Sequence, residues 1–219
     1  MVNAAVSGSG AVRALLFGAL GDRLFPRPIR TADALAVFVG QRAAYVAQTA
    51  LFGYLKTRMG TRFPEYFEDD AFADSIKIAA IALFSACAAD LTVHAVGRLT
   101  VDGGLAHDEA TSLAGRTYPA ALAAGLEPRD RVRIPAGAVP EFEQRIAAVS
   151  WASMAEGGRA FAGSADALVR LAPVNDAYRR ADAPIVRNSI RLRWIDVRDQ
   201  LRRRLDTAAV VRDWRAGAV

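Results

Sequence analysis

Cys87, Asp90 and His94 follow one another at intervals of three and four residues, a spacing that places all three on one face of a helix. A thiolate, a carboxylate and an imidazole on one face are the donor types of a zinc site or an activated nucleophile. A di-iron site inside a helical bundle needs Glu-x-x-His on two helices, and the chain has no such motif. The simpler expectation is a buried polar site in which Cys87 packs as a small hydrophobe while Asp90 and His94 hydrogen-bond to neighbouring elements. No metal, cofactor or catalytic residue is assigned on this basis.

The second candidate group is cationic. Arg187, Arg191, Arg198 and Arg202 fall along one flank of a helix whose other side is apolar, with Arg193 and Arg204 on the opposite flank. Arginines in that position commonly lay their methylenes over apolar surface and keep the guanidinium in water. They also suit an anionic partner: an acidic protein, an anionic lipid surface, or a phosphate backbone. No helix-turn-helix, RNA-binding or zinc-finger signature singles out nucleic acid.

Other chemistries lack their residues. The only Gly-Ser-Gly, Gly8 to Gly10, has the wrong spacing for a nucleophile elbow, and neither a Walker loop nor a G-x-G-x-x-G occurs. The acidic window Glu65, Glu68, Asp69, Asp70 and Asp74 has neither the alternating ligands nor the central glycine of a calcium loop. His107 beside Asp108 and Glu109 reads as a helix start with acid facing the dipole.

These groups must be carried by helices, because alanine, leucine and arginine dominate and no useful period-2 alternation occurs. Residues 11–25 read as a short amphipathic helix stopped by Pro26 and Pro28. Thr31 caps a helix to about Met59, with Phe38, Tyr45, Phe52 and Met59 as a stripe at intervals of seven. Asp69 or Asp70 caps a helix over about 72–99 that is apolar around most of its circumference and therefore belongs at the centre. Further expectations are a helix over 107–124 interrupted at Pro119 and an extended crossover over 125–137. A helix entered by Pro140 follows toward Met154, then a short one capped by Ser164. A last long helix starts at Asp182 with Pro184 in its first turn and carries the seam Ile190, Trp194, Val197, Leu201, Leu205 and Ala208.

The expected fold is all-α: an irregular bundle of six to eight helices around a buried central helix, in one domain over 1–219 with residues 1–10 flexible. The single cysteine excludes an intrachain disulfide and a multi-cysteine zinc site. No secretory signal or membrane span is expected, which places the chain in the cytoplasm or peripherally at a membrane. The net charge of +5 is concentrated late: residues 158–219 hold thirteen Arg and seven Asp, a balance of +6, while the rest is near neutral. The functional expectation is a non-catalytic helical interaction or scaffold protein, or a subunit of a larger assembly or homo-oligomer. It would meet an anionic partner through the arginine-flanked C-terminal helix. The alternative is a peripheral membrane protein using the N-terminal amphipathic helix, and the third is a helical enzyme with its site near Cys87, Asp90 and His94.

Overall fold

A computed structural model describes residues 27–60 and 68–217. The expected amphipathic helix at 11–25, and with it the anchor of the membrane reading, lies outside these residues. The described residues form eight α-helices and two 3₁₀ turns, with no strand among them. In chain order the helices are α1 (Ala32–Met59), α2 (Asp70–Gly103), α3 (His107–Gly125), α4 (Ala138–Ala147), α5 (Trp151–Ala155), α6 (Ala162–Leu171), α7 (Asp176–Arg204) and α8 (Thr207–Ala216). The fold is all-α, and α2 is the helix the others surround.

The sequence explains the starts of the long helices. Thr31 accepts a hydrogen bond from the Ala34 N–H and Asp69 accepts from Ala71 and Phe72, so both caps lie where expected. Along α2, Ile76, Leu83, Cys87 and Leu91 are buried, as a helix apolar on nearly all sides requires. α1, α3, α5 and α6 pack around it. By length and composition α2 would also suffice to cross a membrane, and 67% of that apolar window is buried inside the bundle, which is how a core helix passes the same test.

Several local expectations are corrected. Pro119 does not interrupt α3, and Pro184 does not open α7; both sit inside continuous helices, on exposed faces where the carbonyl that loses its N–H partner can meet water. α7 begins at the Asn175 cap, whose side chain accepts from the Ala177 N–H. Asp182 is thus no cap. It is buried in the second turn of α7, where it takes an ion pair from Arg58 and a 2.9 Å hydrogen bond from the Tyr54 hydroxyl, both on α1. The Arg58 guanidinium holds its carboxyl below the ordinary value. The crossover over 125–137 contains a 3₁₀ turn, Pro128–Arg133, rather than extended chain. The helix entered near Pro140 stops at Ala147, and Trp151–Ala155 is a separate turn. Ser164 does not cap α6 but lies in its first turn. The apolar seam of α7 ends with Leu201, because the helix stops at Arg204. Leu205 becomes the C-cap, half-buried beside Ile29, and Ala208 is exposed on α8. The stripe on α1 is deepest at Phe38, while Tyr45, Phe52 and Met59 pack on the core from its rim.

α1 and α3 approach closely where Gly40 faces Ala121: a Cβ on Gly40 would lie 2.4 Å from the Ala121 carbonyl oxygen and 3.0 Å from the Gly125 nitrogen. Both obstacles are backbone, so the helices themselves would have to separate. At Gly53, also on α1, a Cβ would meet only the flexible end of Arg193 at 3.1 Å. Mid-helix Gly→Ala gains about 0.5–1 kcal/mol, whereas overpacking costs about 1–3 kcal/mol. Gly40→Ala is therefore expected to destabilise the protein and Gly53→Ala to leave it unchanged or stabilise it, as read from urea denaturation midpoints. Equal effects at the two sites would contradict the close-crossing account.

Candidate functional site

Asp90 lies at the centre of α2 with its side chain fully buried. Both of its oxygens are used. Oδ1 accepts from Arg145 Nη1 at 2.7 Å and Oδ2 accepts from the Ser164 N–H at 2.6 Å. Ser164 is the third residue of α6, one of the first-turn N–H groups that no bond within its own helix can satisfy. Asp90 therefore caps α6 from another helix and places negative charge at its positive end. The close fit leaves no room for a larger neighbour: a Cβ on Gly163 would sit 2.9 Å from Asp90 Oδ1. Burial pushes the Asp90 carboxyl upward, while the Arg145 guanidinium and the Ser164 N–H hold it back.

The network continues outward. Arg145 Nη2 donates to the Ala160 carbonyl at 3.0 Å. Trp194 Nε1 donates to the Ser164 hydroxyl at 3.1 Å, which ties α7 to α6. Cys87 is buried beside this cluster; desolvation, reinforced by the nearby Asp90 charge, raises its thiol well above the ordinary value, and the Ser164 hydroxyl works the other way. A thiol held protonated is neither a nucleophile nor a metal ligand.

His94 belongs to a different environment. Its Nδ1 is 3.0 Å from the Met154 carbonyl, which can only accept, so Nδ1 carries the proton and Nε2 is the free acceptor. Its ring packs against Phe161 with centroids 5.1 Å apart. Burial lowers its pKa to about 4, with the charges of Arg198 and Arg98 adding to the effect. The imidazole is therefore neutral at physiological pH. It borders a cleft of about 330 Å³ between α2, α5 and α7, whose charged lining is Arg98, Asp102, Glu156, Arg198, Asp199 and Arg202. Three guanidinium groups are matched by three carboxylates. Arg98 pairs with Asp102 one turn along α2, and Arg202 with Asp199 at 3.1 Å on α7.

The structure thus separates what the helical spacing joined: Asp90 is spent on Arg145 and α6, His94 on Met154, and Cys87 on packing. Among the described residues no group of three or more His, Cys, Asp and Glu side chains is gathered as metal ligands.

The four flank arginines are also dispersed. Arg187 Nε donates to Asp166 on α6 at 2.8 Å, and Arg198 Nη2 donates to the Glu156 carbonyl at 2.8 Å. Arg202 is paired within α7 but its side chain remains 70% exposed. Arg191 is exposed and makes no ion pair among the described residues. On the other flank, Arg193 packs over Gly53, and Arg204 donates to the Arg27 carbonyl and lies over the Phe38 ring.

A third feature was missed in the sequence. Tyr178, Ile185, Leu192 and Ile195 are 55%, 72%, 66% and 52% exposed on the outward side of α7, opposite its buried seam. The spacing of seven, seven and three is present in the sequence, but the inward seam of the same helix is the stronger periodic signal. Tyr178 is partly engaged, lying under the Arg58 guanidinium. Among the described residues no cation lies over the other three, and Ile195 also lines the edge of the cleft.

No protein-family model, curated protein or solved structure matches this chain.

Two outcomes follow from the buried groups. Replacing Asp90 with Asn removes the charge that Arg145 and the α6 terminus share. Breaking a buried pair costs about 3–5 kcal/mol, and because Arg145 is partly exposed and can rehydrate, a loss of about 3 kcal/mol is expected in urea denaturation; a loss below about 1 kcal/mol would refute the role given to the buried charge. For His94, the folded pKa lies below the unfolded value of about 6.5, so the unfolded chain binds the extra proton as pH falls and its contribution to stability is lost over that window. Roughly 1.5 kcal/mol should disappear between pH 6.5 and 5. In His94→Gln that component of the pH slope should be absent, and an unchanged slope would show that His94 is not the group responsible.

Proposed function

We propose that the chain is a non-catalytic interaction protein, a helical subunit that docks another polypeptide through the outward face of α7. The observation that carries this reading is the exposure of Ile185, Leu192 and Ile195 on one helix face. Single exposed apolar side chains are ordinary, whereas an aligned apolar stripe with a polar rim marks contact surfaces. The rim is suited to the role as well. Arg191 and Arg202 are exposed beside the stripe and Asp196 and Asp199 lie along it, so polar contacts are available around an apolar centre.

The same geometry narrows the expected anion-binding role of the arginine flank. Arg187 and Arg198 are engaged with α6 and with the Glu156 carbonyl and Arg202 with Asp199, which leaves Arg191 to meet a carboxylate on a partner. Charge at the rim then sets association rate and selectivity, and the apolar stripe supplies most of the affinity.

The test is a paired affinity purification from the native cell with wild type and an Ile185→Ser, Leu192→Asp variant. Both positions are exposed, so the helical circular dichroism spectrum should be unchanged. The variant should lose the polypeptide that wild type retains. Retention of the same set by both proteins would remove this face as the docking surface.

A further inference from the structure

We infer that the polypeptide seated on this face is a second copy of the chain, joined through α7 helices running parallel about a two-fold axis. The inference rests on the docking role just proposed and specifies its partner. Ala181, Ile185, Asn188, Leu192 and Ile195 follow at steps of four, three, four and three, the seam spacing of a two-stranded coiled coil over two heptads. All lie on the side of α7 opposite Ile190, Trp194 and Val197, which are buried in the chain's own core. Asn188 is the polar residue within the seam, where its amide would meet its own copy across the axis.

The charges beside the seam choose the orientation. One flank carries Pro184, Arg191 and Arg198; the other carries Ser189, Asp196 and Arg203. In a parallel pair, a residue on the first flank faces the residue five positions later on the other copy, so Arg191 meets Asp196 of the partner subunit, and symmetry makes that pair twice. In an antiparallel pair the first flanks face each other. Arg191 would then meet only proline or arginine, since no carboxylate lies on that flank. Among the described residues Arg191 makes no ion pair and Asp196 accepts only from Gln200, which leaves both for this exchange. Within the contact the exposed charges Arg191 and Asp196 sum to zero, which favours neither an acidic nor a basic foreign surface and permits self-association.

The seam also ends where it should. Beyond Ile195 its next positions are Asp199 and Arg202, which pair with each other, and Arg198 would face Arg203 of the partner subunit. The contact is therefore confined to Ala181 through Ile195, about 21 Å of helix at 1.5 Å per residue. Five seam positions with their flanking charges are fewer than the roughly 20–30 residues a side typical of stable complexes, so the dimer forms and dissociates with concentration.

Sedimentation equilibrium of the full chain from micromolar to near-millimolar concentration tests this. Wild type should move from monomer toward twice its mass. Arg191→Glu places two like-charged pairs across the axis, as does Asp196→Arg, and each should weaken dimerisation about tenfold or more, which corresponds to about 1.4 kcal/mol. An equimolar mixture of the two variants re-creates both opposite-charge pairs and should restore wild-type association, as should R191E/D196R in one chain. Failure of the mixture to recover would overturn the parallel arrangement. A wild-type chain that stays monomeric throughout would overturn the second copy as partner. The docking role itself would survive that result if the Ile185→Ser, Leu192→Asp variant still lost a captured polypeptide, and would fall with it if nothing were lost.

Discussion

The structure depends on one buried carboxylate. Asp90 sits in the most enclosed helix of the bundle, where an unpaired charge would cost several kcal/mol, and everything it touches is held in place by the need to avoid that cost. Arg145 must come in from α4, the first turn of α6 must point its free N–H at α2, and the Ser164 hydroxyl, fixed by that contact, receives the Trp194 indole of α7. Four helices from distant parts of the sequence are thus aligned by directional bonds. Packing alone would let alanine-rich helices slide past one another, because small side chains give shallow ridges and grooves. The polar centre supplies the register that a smooth apolar surface lacks.

How much of this could be read in advance varied with the range of the interaction. Thr31 and Asp69 act on N–H groups two or three residues away, and both were legible because capping is a local matter. The central position of α2 was legible too, since only burial explains apolar residues on every side. Asp182 and Ser164 were misplaced for the opposite reason. Each has the residue type of a cap, but each is used by a partner more than seventy residues away: Asp182 by Arg58 and Tyr54, Ser164 by Asp90. Pro184 and Pro119 misled in the same way. A proline ends a helix when its orphaned carbonyl has no alternative, and on an exposed face water provides one.

The candidate site shows the same boundary. Helical spacing correctly put Cys87, Asp90 and His94 on one side of α2, yet sharing a side is not sharing a site. The four residues from Asp90 to His94 cover about 6 Å along the axis, enough for Asp90 to face α4 and α6 while His94 faces α5 and the cleft. Arg145 and Ser164, the residues that decide the chemistry of Asp90, carried no signal in the sequence. Their roles exist only once the chain has brought α4 and α6 against α2.

The basic C-terminal third illustrates how charge counted along a sequence overstates charge offered to a partner. Of the arginines there, Arg179 pairs with Asp176, Arg187 with Asp166, Arg202 with Asp199 and Arg215 with Glu109, and Arg198 and Arg204 donate to backbone carbonyls. Exposed pairs of this kind add at most about 1 kcal/mol each to stability, so they do little to hold the fold. Their effect is to flatten the field of an otherwise cationic surface. What then distinguishes the outward face of α7 is not its basicity but the combination left after neutralisation among the described residues: an aligned apolar stripe, the Arg191 guanidinium without an ion pair on one flank and the accessible Asp196 carboxylate on the other. Between Ala181 and Asp196 the first flank offers Arg191 and the second Asp196, offset along the helix, and a surface so arranged is complementary to itself. That self-complementarity, rather than the net +5 of the chain, is the property a partner would recognise.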